Sequence, residues 1–151
     1  MKNQEITITP VQQAHYQQWL SYWHAYQAFY KVELTDVTTE TTWQRFFNET
    51  EPVYCAVAKQ GEQVLGFVHY VIHRSTWAEQ NYCYLEDLYV SPDVRGKQIG
   101  KQLIEYVQLQ AILQKCDRLY WHTQEINHTA QRLYDWIAEK PGIIEYRMAL
   151  K

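Results

Sequence analysis

YLEDLYVSPDVRGKQIGKQLI, Tyr84 to Ile104, carries three patterns in one run. Its first part, YLEDLYV, is rich in aromatic and aliphatic residues that favour a strand, and Ser91 and Pro92 end it. Further on, Ile99, Leu103, Ile104, Val107 and Ala111 mark one face of a helix, with Gln98, Lys101, Gln102 and Glu105 largely opposite. Between strand and helix lie Arg95, Gly96 and Lys97. Gly96 has no Cβ, so the chain can turn tightly there and leave backbone N–H groups free at the helix start. Those donors and the positive end of the helix dipole make a ready phosphate site, and Arg95, Lys97 and Lys101 add charge. Spacing excludes two other phosphate loops, because GxGxxG is absent and neither Gly-Lys pair is followed by Ser or Thr. On these residues alone, a basic turn and a phosphate cradle both remain open.

Upstream, ITITP alternates and is stopped by Pro10, which predicts a short first strand. Tyr16, Trp19, Trp23, Tyr26 and Tyr30 recur at helical spacing within Val11 to Tyr30, and a second helix is predicted around Thr39 to Asn48. PVYCAVAK and QVLGFVHYVIH, separated by Gln60, Gly61 and Glu62, read as a hairpin. Downstream, RLYWHT reads as a strand. Asn127 offers an N-cap to a helix that Pro141 and Gly142 close, and IIEYRMAL reads as a last strand. The order β α α β β β α β α β predicts an α/β (α+β) fold, a mixed sheet with helices on its faces.

A length of 151 residues, 46% of them apolar, suits one domain, 1–151. The net charge of -3 gives no broad attraction to nucleic acid or an anionic membrane, and a cationic substrate is tolerated better than an anionic one. No apolar run approaches the roughly 18 residues of a membrane span, and MKNQEITITPVQQ has no apolar signal core, so a cytoplasmic protein is expected. Cys55, Cys83 and Cys116 are odd in number and widely spaced, and they read as buried reduced thiols. His69 and His73 share a strand face but lie too far apart to chelate one ion, and His122 and His128 have no convincing ligand partner. No metal is expected.

Two further constellations carry chemistry. In NHTAQRLY, Asn127 and Tyr134 lie about two helical turns apart with Ala130 between them, so an amide, a small residue and a phenol share one helix face. This is either a capped helix with a buried tyrosine or a site. A phenol with an ordinary pKa of about 10 can protonate a thiolate leaving group. Glu86 and Asp87 stand in mid-strand, where a buried carboxylate needs a partner or a function. On a regular pleat Glu86 shares a side with Tyr84 and Leu88, and Asp87 shares the other with Leu85 and Tyr89.

YLEDLYVSPDVRGKQIGKQLI, followed by NHTAQRLYDWIAEKPG and a terminal YRMAL, resembles the GNAT superfamily of acetyl-CoA-dependent N-acetyltransferases. LEDLYV and the aromatic first helix look most like the diamine (spermidine/spermine) branch. The resemblance implies a mostly antiparallel central sheet splayed at a bulge. At that bulge Leu88, Tyr89 and Val90 would offer backbone groups to the pantetheine arm, and an N–H there would stabilise the oxyanion formed when an amine attacks a thioester. The family's pyrophosphate loop, Gln/Arg-x-x-Gly-x-Gly/Ala, would be Arg95, Gly96, Lys97, Gln98, Ile99 and Gly100, with Lys101 following; Gln98 stands where the family usually has its first glycine. Asn127 would hydrogen-bond the pantetheine arm, Ala130 would leave room for it, and Tyr134 would protonate the departing thiolate. Glu86 would be the base for an amine that is protonated at neutral pH.

These implications describe acetyl transfer from acetyl-CoA to a small polyamine-like amine in a ternary complex, by an enzyme often dimeric in this family. Trp19, Trp23, Tyr26, Phe29 and Tyr30 either line an acceptor cleft or pack the first helix onto the sheet, and core packing is the preferred reading for most. Glu33 and Asp36 are candidates to anchor a second ammonium group. The alternatives are a protein lysine or N-terminal acetyltransferase and a non-catalytic acyl-CoA-binding sensor.

Overall fold

A computed structural model describes residues 5–94 and 96–150 of the chain. ITITP forms β1 (Ile6–Pro10), and a 3-10 turn at Gln13–His15 leads into α1 (Tyr16–Phe29). α2 (Asp36–Arg45) starts three residues ahead of the expected Thr39, because Thr35 takes the N-cap: its hydroxyl accepts the Thr38 N–H at 3.2 Å. Asp36 in the first turn and Arg45 in the last suit the two ends of the helix dipole. The hairpin is β2 (Val53–Gln60) and β3 (Gln63–His73), turning through Gly61 at φ +60°. Then come β4 (Tyr82–Val90), a 3-10 turn at Pro92–Val94, α3 (Ile99–Leu113), β5 (Arg118–Trp121) and α4 (His128–Ile137).

The sheet runs β1-β2-β3-β4-β5, antiparallel except for the parallel pair β4 and β5. Successive side chains of β3 face opposite ways. Phe67 turns to α1, where it joins Trp19, Trp23, Trp43, Cys55 and Val57 in an aromatic core. Val68 and Tyr70 turn to the other face, where α3 buries Ile99, Leu103, Ile104 and Val107. Helices therefore cover both faces. Trp19 is fully buried and stacks on Trp23 at 6.0 Å, so the stripe on α1 is core at those two positions, while Phe29 is exposed. Removing a side chain of this size from water stabilises the fold by about 3 kcal/mol.

The chain divides into two compact units, Met1–Trp121 and His122–Lys151. The expected last strand is not formed: Ile143 to Leu150 has no regular structure, and Ile144, Tyr146, Met148 and Leu150 are all largely exposed. Alternating apolar residues suit a strand, but a strand forms only against a partner edge. In this segment Arg147 pairs with Glu145, and His122 Nδ1 lies 3.8 Å from the same carboxylate.

Candidate active site

β4 is paired unequally on its two edges. Against β3 the ladder runs from Tyr82, opposite His73, to Val90, opposite Gly66. Against β5 it runs only from Tyr82 to Leu85 and ends at Trp121. Glu86 to Val90 thus extend past the end of β5.

Where β4 leaves β5 its pairing with β3 also slips. His69 pairs with Asp87 and Tyr70 with Leu85, which makes Glu86 the extra residue of a β-bulge. The bulge therefore sits two residues before Leu88, where it was expected. It also corrects the expected sidedness of the acids. On an even pleat Asp87 would share a face with Leu85, but Leu85 stands opposite Tyr70 on the α3 side and Asp87 bonds to His69 on the α1 side. One inserted residue moves every later side chain to the other face.

Asp87 Oδ2 lies 2.9 Å from His69 Nδ1, and the Trp19 indole N–H donates to His69 Nε2 at 2.9 Å. On sequence, His69 is read only as a possible metal ligand and Trp19 as an acceptor-cleft or core residue; the structure joins both to Asp87. A polar residue within QVLGFVHYVIH was the available signal, since a buried imidazole needs partners as much as a buried carboxylate does. Glu86 is exposed at the bulge. Loss of hydration raises its pKa most, the Asp87 charge raises it further, and His69 opposes them.

The expected phosphate loop lies between β4 and α3. Arg95 is outside the described residues. Gly96 adopts φ +81°, and a Cβ there would meet nothing within 4 Å, so the turn borders open space. Gln98 is left-handed at φ 55° and ψ 34° and caps α3. The family's glycine at this position thus has a conformational reason: glycine enters this region freely, and other residues do so at a cost of about 1 kcal/mol. The first helical bond runs from the Gln102 N–H to the Gln98 carbonyl at 3.0 Å, so the Ile99 and Gly100 N–H groups open the helix without an i−4 acceptor inside it. Gln102 Nε2 donates to the Lys97 carbonyl at 3.0 Å and braces the turn, and Lys101 pairs with Glu105 at 3.5 Å. The residues present fit an anionic phosphate group.

At the other end of β4, Leu88, Tyr89 and Val90 pair with Val68, Phe67 and Gly66. β3 and β4 approach so closely here that a Cβ on Gly66 would lie 2.5 Å from the Tyr89 carbonyl oxygen. In the second unit Asn127 caps α4, its side-chain oxygen accepting the Ala130 N–H at 3.3 Å. Asn127, Ala130 and Tyr134 are each half-buried. Cys55 and Cys83 are buried and Cys116 is half-buried, all as free thiols. Burial pushes the Cys83 thiol up to about 12, and it raises Cys55 and Cys116 as well, with Asp87 adding to the effect on Cys55. None has the character of a nucleophile.

The sequence matches the Acetyltransferase (GNAT) family over residues 17–136. It is 32% identical over 149 residues to the D-amino-acid N-acetyltransferase HPA3 of Saccharomyces cerevisiae, covering 97% of this chain and 92% of that protein. The thialysine N-epsilon-acetyltransferase of Caenorhabditis elegans is 32% identical over 142 residues, 91% of this chain and 83% of the relative. Among solved structures, an integron cassette protein from the mobile metagenome of V. cholerae aligns with a TM-score of 0.76 at 26% identity, covering 95% of this chain and 92% of that one. The aminoglycoside N-acetyltransferase AAC(6')-Iy in complex with CoA aligns at 0.80 with 18% identity over 99% and 98%, a likeness of fold. No described helix is long and apolar enough to cross a membrane.

Proposed function

The chain belongs to the GNAT acetyltransferase family and is an N-acetyltransferase, and from that premise we propose that it moves an acetyl group from acetyl-CoA to a small polyamine-like primary amine by direct transfer in a ternary complex. The observation that carries this reading is Glu86, a carboxyl of raised pKa on the bulge where β4 leaves β5. An alkylamine has a pKa of about 10.4 and reaches the site protonated. Glu86 takes that proton through its carboxylate oxygen, directly or through water, and the raised pKa makes it a better base. Asp87 beside it adds a second negative charge, which favours an ammonium and opposes a carboxylate near the reacting nitrogen.

Acetyl-CoA, when bound, supplies the thioester carbonyl and the thiolate leaving group. Gly96 to Lys101, with Arg95, hold its pyrophosphate, chiefly through main chain. Leu88, Tyr89 and Val90 offer backbone groups to its arm. Asn127 bonds that arm, Ala130 leaves space for it, and the Tyr134 hydroxyl gives its proton to the sulfur. Holding both reactants together supplies much of the remaining acceleration. The reading includes one catalytic domain over the whole chain, a cytoplasmic location and a homodimer, the last supported by the exposed apolar residues between Ile143 and Leu150.

A second acceptor class, free amino acids, is favoured by the likeness to HPA3 along nearly the whole chain. The two adjacent acids weigh against an α-amine beside its own carboxylate and for an amine remote from one, as in thialysine. The test is thiol release from acetyl-CoA with polyamines, thialysine, D-amino acids and lysine peptides. Polyamines and thialysine are expected to accelerate it most. Acceleration by lysine peptides alone overturns the small-amine reading. In Tyr134→Phe, turnover is expected to fall about 10-fold or more while donor affinity changes little; equal losses in both would make Tyr134 a binding residue.

A further inference from the structure

Leu85 faces α3, so its neighbours Tyr84 and Glu86 stand on the opposite face of β4. On that face the parallel register sets Tyr120 of β5 beside Tyr84, and their rings stack at 5.0 Å. Tyr120 is held at its hydroxyl by His73 Nε2 at 2.6 Å, while His73 Nδ1 donates to the Arg74 carbonyl at 2.7 Å. Further from Glu86 on the same face is Tyr82, and the guanidinium carbon of Arg118 lies 4.5 Å from the centre of that ring. The face thus runs from an acid, over two stacked rings, to a cation. Arg118 is exposed, and among the described residues no carboxylate forms an ion pair with it. All of these residues belong to the unit Met1–Trp121.

We propose that Arg118 is a specificity-determining residue, which takes a carboxylate at the far end of an acceptor whose amine lies at Glu86. The proposal rests on Glu86 receiving that amine, and it divides the small-amine class by the group at the other end. From Glu86 back to Tyr82 the strand covers about 13 Å. An extended chain of roughly six bonds from amine nitrogen to carboxyl carbon measures about 7 Å. A charge-assisted hydrogen bond of about 2.8 Å at each end brings the span to about 13 Å. The class is an ω-amino acid such as 6-aminohexanoate, or lysine and thialysine reacting at the side-chain amine. Its uncharged middle lies along the Tyr84–Tyr120 pair, which shields it from water on one side. A diamine of equal length brings a second ammonium to the guanidinium, and like charges repel. Arginine suits the role because its planar fork meets a carboxylate at two points.

The test titrates the protein with 6-aminohexanoate, hexylamine and 1,6-diaminohexane while NMR follows the Arg118 Nε–H signal, assigned with Arg118→Gln. 6-Aminohexanoate is expected to move that signal, and hexylamine to leave it in place. In Arg118→Gln the affinity for 6-aminohexanoate is expected to fall about 5-fold relative to hexylamine, while that for 1,6-diaminohexane rises relative to it. A merely structural role would shift all of these affinities alike and overturn the proposal. So would an Arg118 signal unmoved at saturation, or no binding of 6-aminohexanoate at all. None of these readouts requires turnover. A protein that binds 6-aminohexanoate at Arg118 yet acetylates no amine sinks the acetyl-transfer reading and leaves this assignment standing. One that acetylates amines while the Arg118 signal stays still sinks this assignment alone.

Discussion

The two edges of β4 show opposite uses of one strand. Its β3 edge is laddered along the full strand and backed by the Trp19–His69–Asp87 chain, whereas its β5 edge is laddered only to Leu85. The first, closed edge fixes the backbone, and past Leu85 the second, open edge has no ladder with β5. Glu86 stands where the two conditions meet. The difference shows how the sheet keeps polar groups at its centre: His69 is held at both ring nitrogens, by Trp19 and by Asp87.

The comparison is broken most severely at Glu86 itself. Glu86→Gln is expected to lower kcat/KM near neutral pH by about 100-fold, with the loss shrinking as pH rises and free amine becomes abundant; a pH-independent loss would place the base elsewhere. Its stability effect has the opposite sign. A carboxyl whose pKa is raised on folding destabilises the folded state once pH exceeds its ordinary value, so the variant is expected to melt slightly higher at neutral pH. That gain disappears in acid, as thermal scans at both pH values would show.

Next in size is the closed edge. Gly66→Ala sets a Cβ against the Tyr89 carbonyl oxygen, backbone on backbone, and β3 and β4 must part to admit it. A loss of about 2 kcal/mol is expected, read as a fall in melting temperature of about 4–8 °C. No fall would mean that the seam is looser than its geometry. Smallest is the turn beyond the open edge. Gln98→Gly trades relief of the left-handed conformation against a more flexible unfolded chain, and the two nearly cancel, to within about 0.5 kcal/mol. Gln98→Val, β-branched at φ 55°, is expected to lose about 1 kcal/mol in denaturant unfolding.

Local pattern made much of this fold legible in advance. ITITP, the hairpin around Gly61, the apolar face of α3 and the Asn127 cap each depend on residues near in sequence. The start of α2 was misplaced because Thr35 was passed over as a cap, a local signal that was present. The bulge was not legible as a register. LEDLYV has the strand-favouring residues of an ordinary strand, and only pairing with His69 and Tyr70 makes Glu86 supernumerary. The same long-range pairing hid the imidazole beside Asp87, contributed by a residue 18 positions earlier. IIEYRMAL failed for the converse reason: its own pattern is that of a strand, and the missing ingredient is an edge to join.

The buried thiols have a consequence for the product of acetyl transfer. Each turnover of the proposed reaction frees a thiol, and once such a thiol has been oxidised to a disulfide elsewhere, it is a protein thiolate that attacks it. Burial pushes the Cys83 thiol up to about 12, so it stays protonated at neutral pH. Cys55 is raised by the same burial. Burial therefore makes Cys55 and Cys83 poor attackers of any disulfide formed from that thiol.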